Sequence, residues 1–260
     1  MKPLIHQIYA HNQLRNFNYL IECSDCFVAI DPYDADQVID KINQVGKPLR
    51  FIINTHEHHD HIRGNDKLDA KFKPQILAHA NALGMIPHLS RGLKAGDTIA
   101  LDEGWNLDVL DTPGHTFSHL CLLLKQDDMV RAAFTGDTLF NAGVGNCHNG
   151  GDPKVLFQTI RDYFMTLSDD VIIYPGHDYL RNNLGFTLDR EPGNAIAKDW
   201  FERHQTMDQE REFWQTCMKD ERNINTFLRL EEKEIIQNLP KAAETPEDVF
   251  ITLRELRNKW

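Results

Sequence analysis

The sequence predicts an α/β protein that ends in a helical segment. Short β-branched or aromatic runs alternate with segments of helical spacing as far as residue 174. Four of these runs stop at a turn bearing histidine or aspartate, and no strand-like run recurs after His177. At 260 residues the chain is long enough to bury a large core, as one α/β domain with an appendage or as two small domains.

The elements follow in order. Residues 4 to 30 run apolar or alternate in short stretches, as the first strands of a sheet do. Asn18 to Glu22 and Phe27 to Ile30 read as a hairpin whose turn holds Cys23 and Cys26, two reduced thiols without the second pair a zinc knuckle needs. Asp34 caps a helix with Ala35, Val38, Ile39, Ile42 and Val45 on one face, ending at Gly46. Strand 49 to 54 then completes a βαβ unit. Segments 76–78, 98–101, 105–110, 120–124 and 130–134 continue as strands. Asp152-Pro153 opens a helix burying Leu156, Ile160, Phe164 and Leu167 before strand 171–174. Beyond His177 the apolar residues Ala195, Ile196, Trp200 and Phe201, then Phe213, Trp214 and Cys217, read as helical stripes. Thr245-Pro246-Glu247-Asp248 starts a last helix carrying Val249, Leu253, Leu256 and Trp260. A domain of residues 1–179 and a helical domain of residues 180–260 are therefore expected.

A formal net charge of −11 argues against nucleic-acid and anionic-membrane partners, which require clustered Lys and Arg. No apolar run reaches the roughly 18 residues needed to span a bilayer, and the first residues lack a signal-peptide core. The five cysteines are sparse and odd in number, so a reducing, cytoplasmic setting is expected.

The most informative stretch is Thr55-His56-Glu57-His58-His59-Asp60-His61, with four histidines and two carboxylates in six residues at the end of a strand. His56 and His58, two apart, can face one cation, while Asp60 and His61, at the turn into the next helix, can face a second. Imidazole nitrogen and carboxylate oxygen suit zinc, manganese or iron, and no cysteine joins the cluster. A solvated His-rich loop is the bland alternative. Against it stand His115 in Thr112-Pro113-Gly114-His115, Asp137 in Phe134-Thr135-Gly136-Asp137-Thr138 and His177 in Tyr174-Pro175-Gly176-His177, each at a glycine turn after a strand. By alternation His59 points away. His79, His88 and His204 have no ligand-like context, and His119 is either an outer partner of a ligand or a buried hydrogen-bonded residue.

The Thr-His-x-His-x-Asp-His pattern with the later His115, Asp137 and His177 resembles the metallo-β-lactamase superfamily. With its long C-terminal segment and Asn225-Thr226-Phe227-Leu228-Arg229, the chain is similar within it to the glyoxalase II (hydroxyacylglutathione hydrolase) group. The resemblance implies an αββα sandwich with a C-terminal helical domain. It implies two divalent metal ions, zinc foremost with iron or manganese as alternatives. His56, His58 and His115 would hold one ion and Asp60, His61 and His177 the other. Asp137 would bridge them, and Asp60 and Asp137 are the carboxylates at the catalytic centre. A bridge requires a carboxylate because its two oxygens can each bind one cation. A water between two such ions should lose a proton near neutral pH and attack a thioester carbonyl, and the departing thiolate needs no general acid. Asp31 is either a partner for a ligand imidazole or a turn-forming residue before Pro32.

The implied substrate is a small-molecule thioester, S-D-lactoylglutathione or another S-2-hydroxyacylglutathione. In that group the loop after the bridging aspartate reads Gly-x-Gly-(Lys or Arg)-x-(Phe or Tyr)-Glu-Gly. Here Asn146 stands at the basic position, His148 at the aromatic one and Asn149 at the acidic one. A lost charge-assisted hydrogen bond costs about 1.5–3 kcal/mol, so the hold on the thiol moiety is expected to be altered. Tyr179, Arg229 and Lys233 are the other thiol contacts that the resemblance implies. Two other readings remain open on the same ligands: a persulfide dioxygenase with one iron on His56, His115 and Asp137, and a non-catalytic metal-binding module.

Overall fold

A computed structural model describes residues 2–260, and its strands form two six-stranded sheets and a small hairpin. The first sheet runs in chain order through β1 (Leu4–Tyr9), β2 (Phe17–Glu22), β3 (Phe27–Ile30), β4 (Leu49–Ile53), β5 (Gln75–His79) and β6 (Leu89–Leu93). It is antiparallel from β1 to β3 and parallel from β3 to β6. The remaining strands are β7 (Thr98–Asp102), β8 (Trp105–Asp111), β9 (Leu120–Gln126), β10 (Met129–Gly136), β11 (Leu139–Phe140), β12 (Gly143–Val144), β13 (Ile172–Pro175) and β14 (Thr216–Cys217). β11 pairs with β12, and the second sheet has the order β14-β13-β10-β9-β8-β7.

Alternation along the strands builds three layers of core. Ile21, Val28 and Ile53 of the first sheet meet Leu107, Leu122 and Phe134 of the second in one buried cluster, so the sheets pack face to face. The outward neighbours Leu20, Ala29 and Ile52 pack under α1 (Ala35–Val45). On the other side Cys121, Leu123 and Ala133 pack under α4 (Pro153–Asp162), which follows α2 (His59–Ile62) and α3 (Asn65–Phe72). The result is the expected αββα sandwich. Asp34 and Asp152 cap α1 and α4 as the sequence predicts, and Gly46 ends α1 in the left-handed conformation.

The C-terminal segment carries α5 (Leu180–Arg190), α6 (Ala195–His204), α7 (Met218–Ile224), α8 (Lys233–Gln237) and α9 (Pro246–Arg257), the last opened by a Thr245/Asp248 capping box. α5 is absent from the sequence expectation because Asn182, Asn183 and Gly185 weaken its helical signal. Phe213, Trp214 and Cys217 do not form the helical stripe predicted for them. Cys217 lies in β14, which edges the second sheet, and Phe213 packs its ring 4.7 Å from that of Tyr9 and 5.1 Å from that of Phe17. Trp214 meets Trp200 edge-on at 5.0 Å. Burial of single aromatic rings, rather than helical periodicity, decided this stretch. Among the described residues no helix is long and apolar enough to cross a membrane.

Candidate metal centre

Every residue expected at the centre lies where a strand or its following turn ends. The end of β4 leads into His56, His58, Asp60 and His61; His115 lies between β8 and β9, Asp137 just past β10 and His177 just past β13. The turns allow close approach. A Cβ on Gly176 would lie 2.5 Å from Asp137 Oδ1, and one on Gly145 would lie 1.9 Å from the Asp137 carbonyl oxygen.

Five imidazoles share one design. The outer nitrogen of each faces an oxygen: His115 Nδ1 faces the Asn146 carbonyl at 2.6 Å, His177 Nδ1 the Leu14 carbonyl at 2.7 Å, and His58 Nε2 the Asn149 carbonyl at 3.3 Å. His61 Nδ1 lies 2.9 Å from Asp31 Oδ2, and His56 Nδ1 lies 3.0 Å from Thr55 Oγ1, whose own hydrogen goes to Asp31. Those oxygens can only accept, so each outer nitrogen donates and the inner one keeps its lone pair. The inner nitrogens then converge. His56 Nε2 and His115 Nε2 each lie 3.0 Å from His58 Nδ1, and His61 Nε2 lies 3.3 Å from His177 Nε2. Lone pairs at such distances repel unless positive charge sits among them.

The carboxylates complete the arrangement. Asp137 Oδ1 lies 3.3 Å from His61 Nε2, and its Oδ2 lies 3.3 Å from His177 Nε2 and 3.5 Å from His115 Nε2. Oδ1 is buried without a hydrogen-bond partner, an orphan acceptor aimed at the centre. Asp60 Oδ2 lies 3.4 Å from His177 Nε2 and is held by Asn16 Nδ2 at 2.9 Å. Two triads, His56/His58/His115 and Asp60/His61/His177, each have donor atoms within 4.8 Å of one another, and Asp137 forms a third with His56 and His61. The donors are nitrogen and oxygen only, so the residues present fit divalent cations.

Electrostatics agree. Burial pushes the His56 pKa well below its ordinary value, keeping the ring a neutral donor. Burial acts the same way on His61, but Asp137 and Asp31 outweigh it and raise that pKa well above its ordinary value. Burial would raise the Asp137 carboxyl, yet positive charge on the facing His177 and His61 rings, in the absence of a bound cation, holds it well below the usual carboxylate range. The centre is built to keep a carboxylate ionised beside positive charge.

Several surrounding residues were ambiguous or unseen in the sequence. Asp31, which in the sequence reads more plainly as a turn residue before Pro32, accepts from the Thr55 amide at 2.7 Å and holds both Thr55 and His61. His119 is fully buried, accepts from the Asp137 amide at 3.1 Å and stacks on His56. His59 is exposed, as its alternation predicts.

A cleft of about 230 Å³ adjoins the centre, lined by Asn146, His148, Tyr179, Asn183, Arg254 and Arg257 among others. The Tyr179 ring stacks parallel to that of His177 at 4.9 Å. Asn146 uses its side-chain oxygen to accept from the His148 amide at 3.1 Å, shaping the turn at the position that is basic in the group the sequence resembles. The cations at this cleft come instead from α9, in Arg254 and Arg257. Their three-residue spacing, which puts them on one side of a helix, was the signal available in the sequence.

Arg229 and Lys233 are not brought here. Arg229 makes a bidentate pair with buried Glu191 at 2.6 and 2.9 Å and lines a separate cleft of about 790 Å³. Lys233 is exposed at the start of α8. The first is committed to tying the helical segment together, and the second has no contact with the cleft.

Known proteins resemble this chain over nearly its whole length. A family model described as "Metallo-beta-lactamase superfamily" matches residues 27–177, and one described as "Hydroxyacylglutathione hydrolase C-terminus" matches residues 178–260. A hydroxyacylglutathione hydrolase of Nitrosococcus oceani is 46% identical over 266 residues, covering 99% of this chain and 100% of that protein. One from a Polaromonas species is 43% identical over 265 residues, with 99% and 100% covered. The crystal structure of ETHE1 from Myxococcus xanthus shares the fold with a TM-score of 0.67 at 21% identity, covering 98% of each chain. The chain therefore belongs to the metallo-beta-lactamase superfamily and, within it, to the hydroxyacylglutathione hydrolase family.

Proposed function

We propose that this protein hydrolyses the thioester of an S-2-hydroxyacylglutathione such as S-D-lactoylglutathione, releasing glutathione and a 2-hydroxy acid. The observation that carries the reading is the convergence of five inward lone pairs with the orphaned Asp137 oxygen. His56, His58 and His115 would hold one divalent ion and Asp60, His61 and His177 the other, with Asp137 between them, and zinc is the ion we assign. Bound cations of this kind polarise a carbonyl and lower the pKa of a coordinated water.

The chain's own residues do the rest. Thr55, Asp31, Asn146, Asn149 and Leu14 fix the imidazole tautomers, so no ring must reorient during turnover. Asn16 orients Asp60, and His119 fixes the amide of Asp137. The thiol moiety would lie in the adjoining cleft, its carboxylates against Arg254 and Arg257. Burial holds the Tyr179 phenol above its ordinary pKa, so it stays a hydrogen-bond donor there. Asn146 and His148 line the same wall, which supports a hold on the thiol that differs from the usual basic and aromatic pair. Hydrolysis adds water across the carbon–sulfur bond, and because a thiolate leaves readily, no side chain need protonate it.

The reading divides the chain into a catalytic domain of residues 1–179 and a substrate-binding helical domain of residues 180–260, in a cytoplasmic protein whose five cysteines are unpaired. Assaying S-D-lactoylglutathione beside other acyl thiols on zinc-replete protein tests it. Preferential cleavage of acyl-glutathione is expected, and no thioester cleavage of any kind would overturn it.

A further inference from the structure

The loop that follows Asp137 is held chiefly by residues of the C-terminal helical segment. The Asn141 carbonyl accepts from Asn183 Nδ2 at 2.9 Å, the Ala142 amide donates to Glu221 Oε2 at 2.9 Å, and the Gly143 carbonyl accepts from Asn225 Nδ2 at 3.1 Å. Arg254 Nη1 donates to the carbonyls of Val144 at 2.8 Å and Gly145 at 3.1 Å. Five consecutive residues are thus anchored by their backbone groups. Glu221 is the hub. It is fully buried, and its carboxylate also accepts from Asn225 Nδ2 at 2.8 Å and from Thr216 Oγ1 at 2.6 Å, while Thr216 accepts from Asn141 Nδ2 at 2.7 Å.

We infer that Glu221 is a positioning residue for the metal centre, acting through residues 141–146 on His115 and Asp137. Ala142 has φ +57°, a left-handed conformation that strains an L residue and persists only where its surroundings impose it. The Glu221 carboxylate on its amide is that constraint. The far end of the same loop has no slack. Gly145 lies so close to Asp137 and His115 that a Cβ would meet them at 1.9 and 3.0 Å, and the next carbonyl, that of Asn146, takes the proton of His115 Nδ1. If the loop relaxed at Ala142, the acceptor that orients the His115 ring would move with it. A buried carboxylate with no Lys or Arg partner is costly to keep, and this duty accounts for its presence.

The inference rests on the metal centre proposed above, and its test reads zinc affinity by competition with a chromophoric chelator, beside the thermal midpoint. E221M keeps the length of the side chain but removes both acceptor oxygens, leaving the Ala142 amide unpaired, and is expected to weaken zinc binding about 10-fold in folded protein, the low end of what loss of an outer partner costs. Adding A142G should recover most of that loss, because glycine adopts φ +57° unaided, while A142G alone should leave zinc affinity unchanged. Wild-type zinc affinity in folded E221M, or recovery of the thermal midpoint without recovery of affinity in E221M/A142G, would reduce Glu221 to a stability role. Should E221M not fold, T216V removes one donor to the same carboxylate and should weaken zinc binding about 3-fold, and unchanged affinity in folded T216V would overturn the inference. Wild-type protein with no zinc affinity would instead sink the metal-centre reading beneath it.

Discussion

The carboxylate of Asp31 lies 2.9 Å from Nδ1 of His61, on the side of the ring away from the centre, and the same carboxylate takes the hydroxyl of Thr55, which in turn holds His56. One buried aspartate therefore orients two of the proposed ligands. D31N is a clean probe, because Asp31 has φ +50° and asparagine tolerates that conformation well. The amide cannot accept at both oxygen positions, so zinc affinity is expected to fall about 10- to 100-fold, measured by chelator competition.

Arg257 and Arg229 should separate binding from stability. Arg257 lines the cleft beside Tyr179, and R257A is expected to raise KM for S-D-lactoylglutathione about 10-fold with kcat within about 3-fold, the effect of one lost charge-assisted hydrogen bond. Arg229 closes a bidentate pair with Glu191, so R229A should leave KM within about 2-fold yet lower unfolding free energy by about 3 kcal/mol by stranding a buried carboxylate. Steady-state kinetics and urea unfolding on both variants check the contrast, and the reverse pattern would return Arg229 to the substrate site.

Glu221 makes stability depend on pH. Burial pushes its carboxyl from an ordinary 4.5 up to about 7, against hydrogen bonds from Thr216, Asn225 and the Ala142 amide. Between those values the folded protein keeps a proton that the unfolded chain has released, so this contribution is present at low pH and is lost as pH rises through 7. The loss is worth about 3 kcal/mol, and E221Q, which cannot ionise, should lack it. Urea unfolding of metal-free wild type and E221Q at about pH 5 and about pH 8 measures the difference, and equal pH dependence in the two would contradict it.

The residues proposed as metal ligands were legible because each is local: four follow one strand within six residues, and the others each follow a strand and a glycine turn. The caps of α1, α4 and α9 were legible for the same reason, since Asp34, Asp152 and Thr245 act on amides two or three residues away. What escaped depends on distant docking. The apolar spacing of Val249 and Leu253 marks the buried face of α9, but nothing in it says that Arg254 meets Val144 or that Arg257 faces the cleft. The pairing of Arg229 with Glu191, 38 residues away, leaves no local mark in the sequence. Phe213 and Trp214 mimic a helical stripe although each fills a separate aromatic gap.

The seven side chains would hold two divalent ions, which would supply the activated water for thioester cleavage. Titrating metal-free protein with zinc while following hydrolysis of S-D-lactoylglutathione addresses it most directly, with D137N as the companion. Activity should climb to a plateau at two equivalents of zinc, and D137N should retain less metal and lose about 100-fold or more in kcat. A plateau at one equivalent, or D137N with wild-type rate and metal content, would contradict the account.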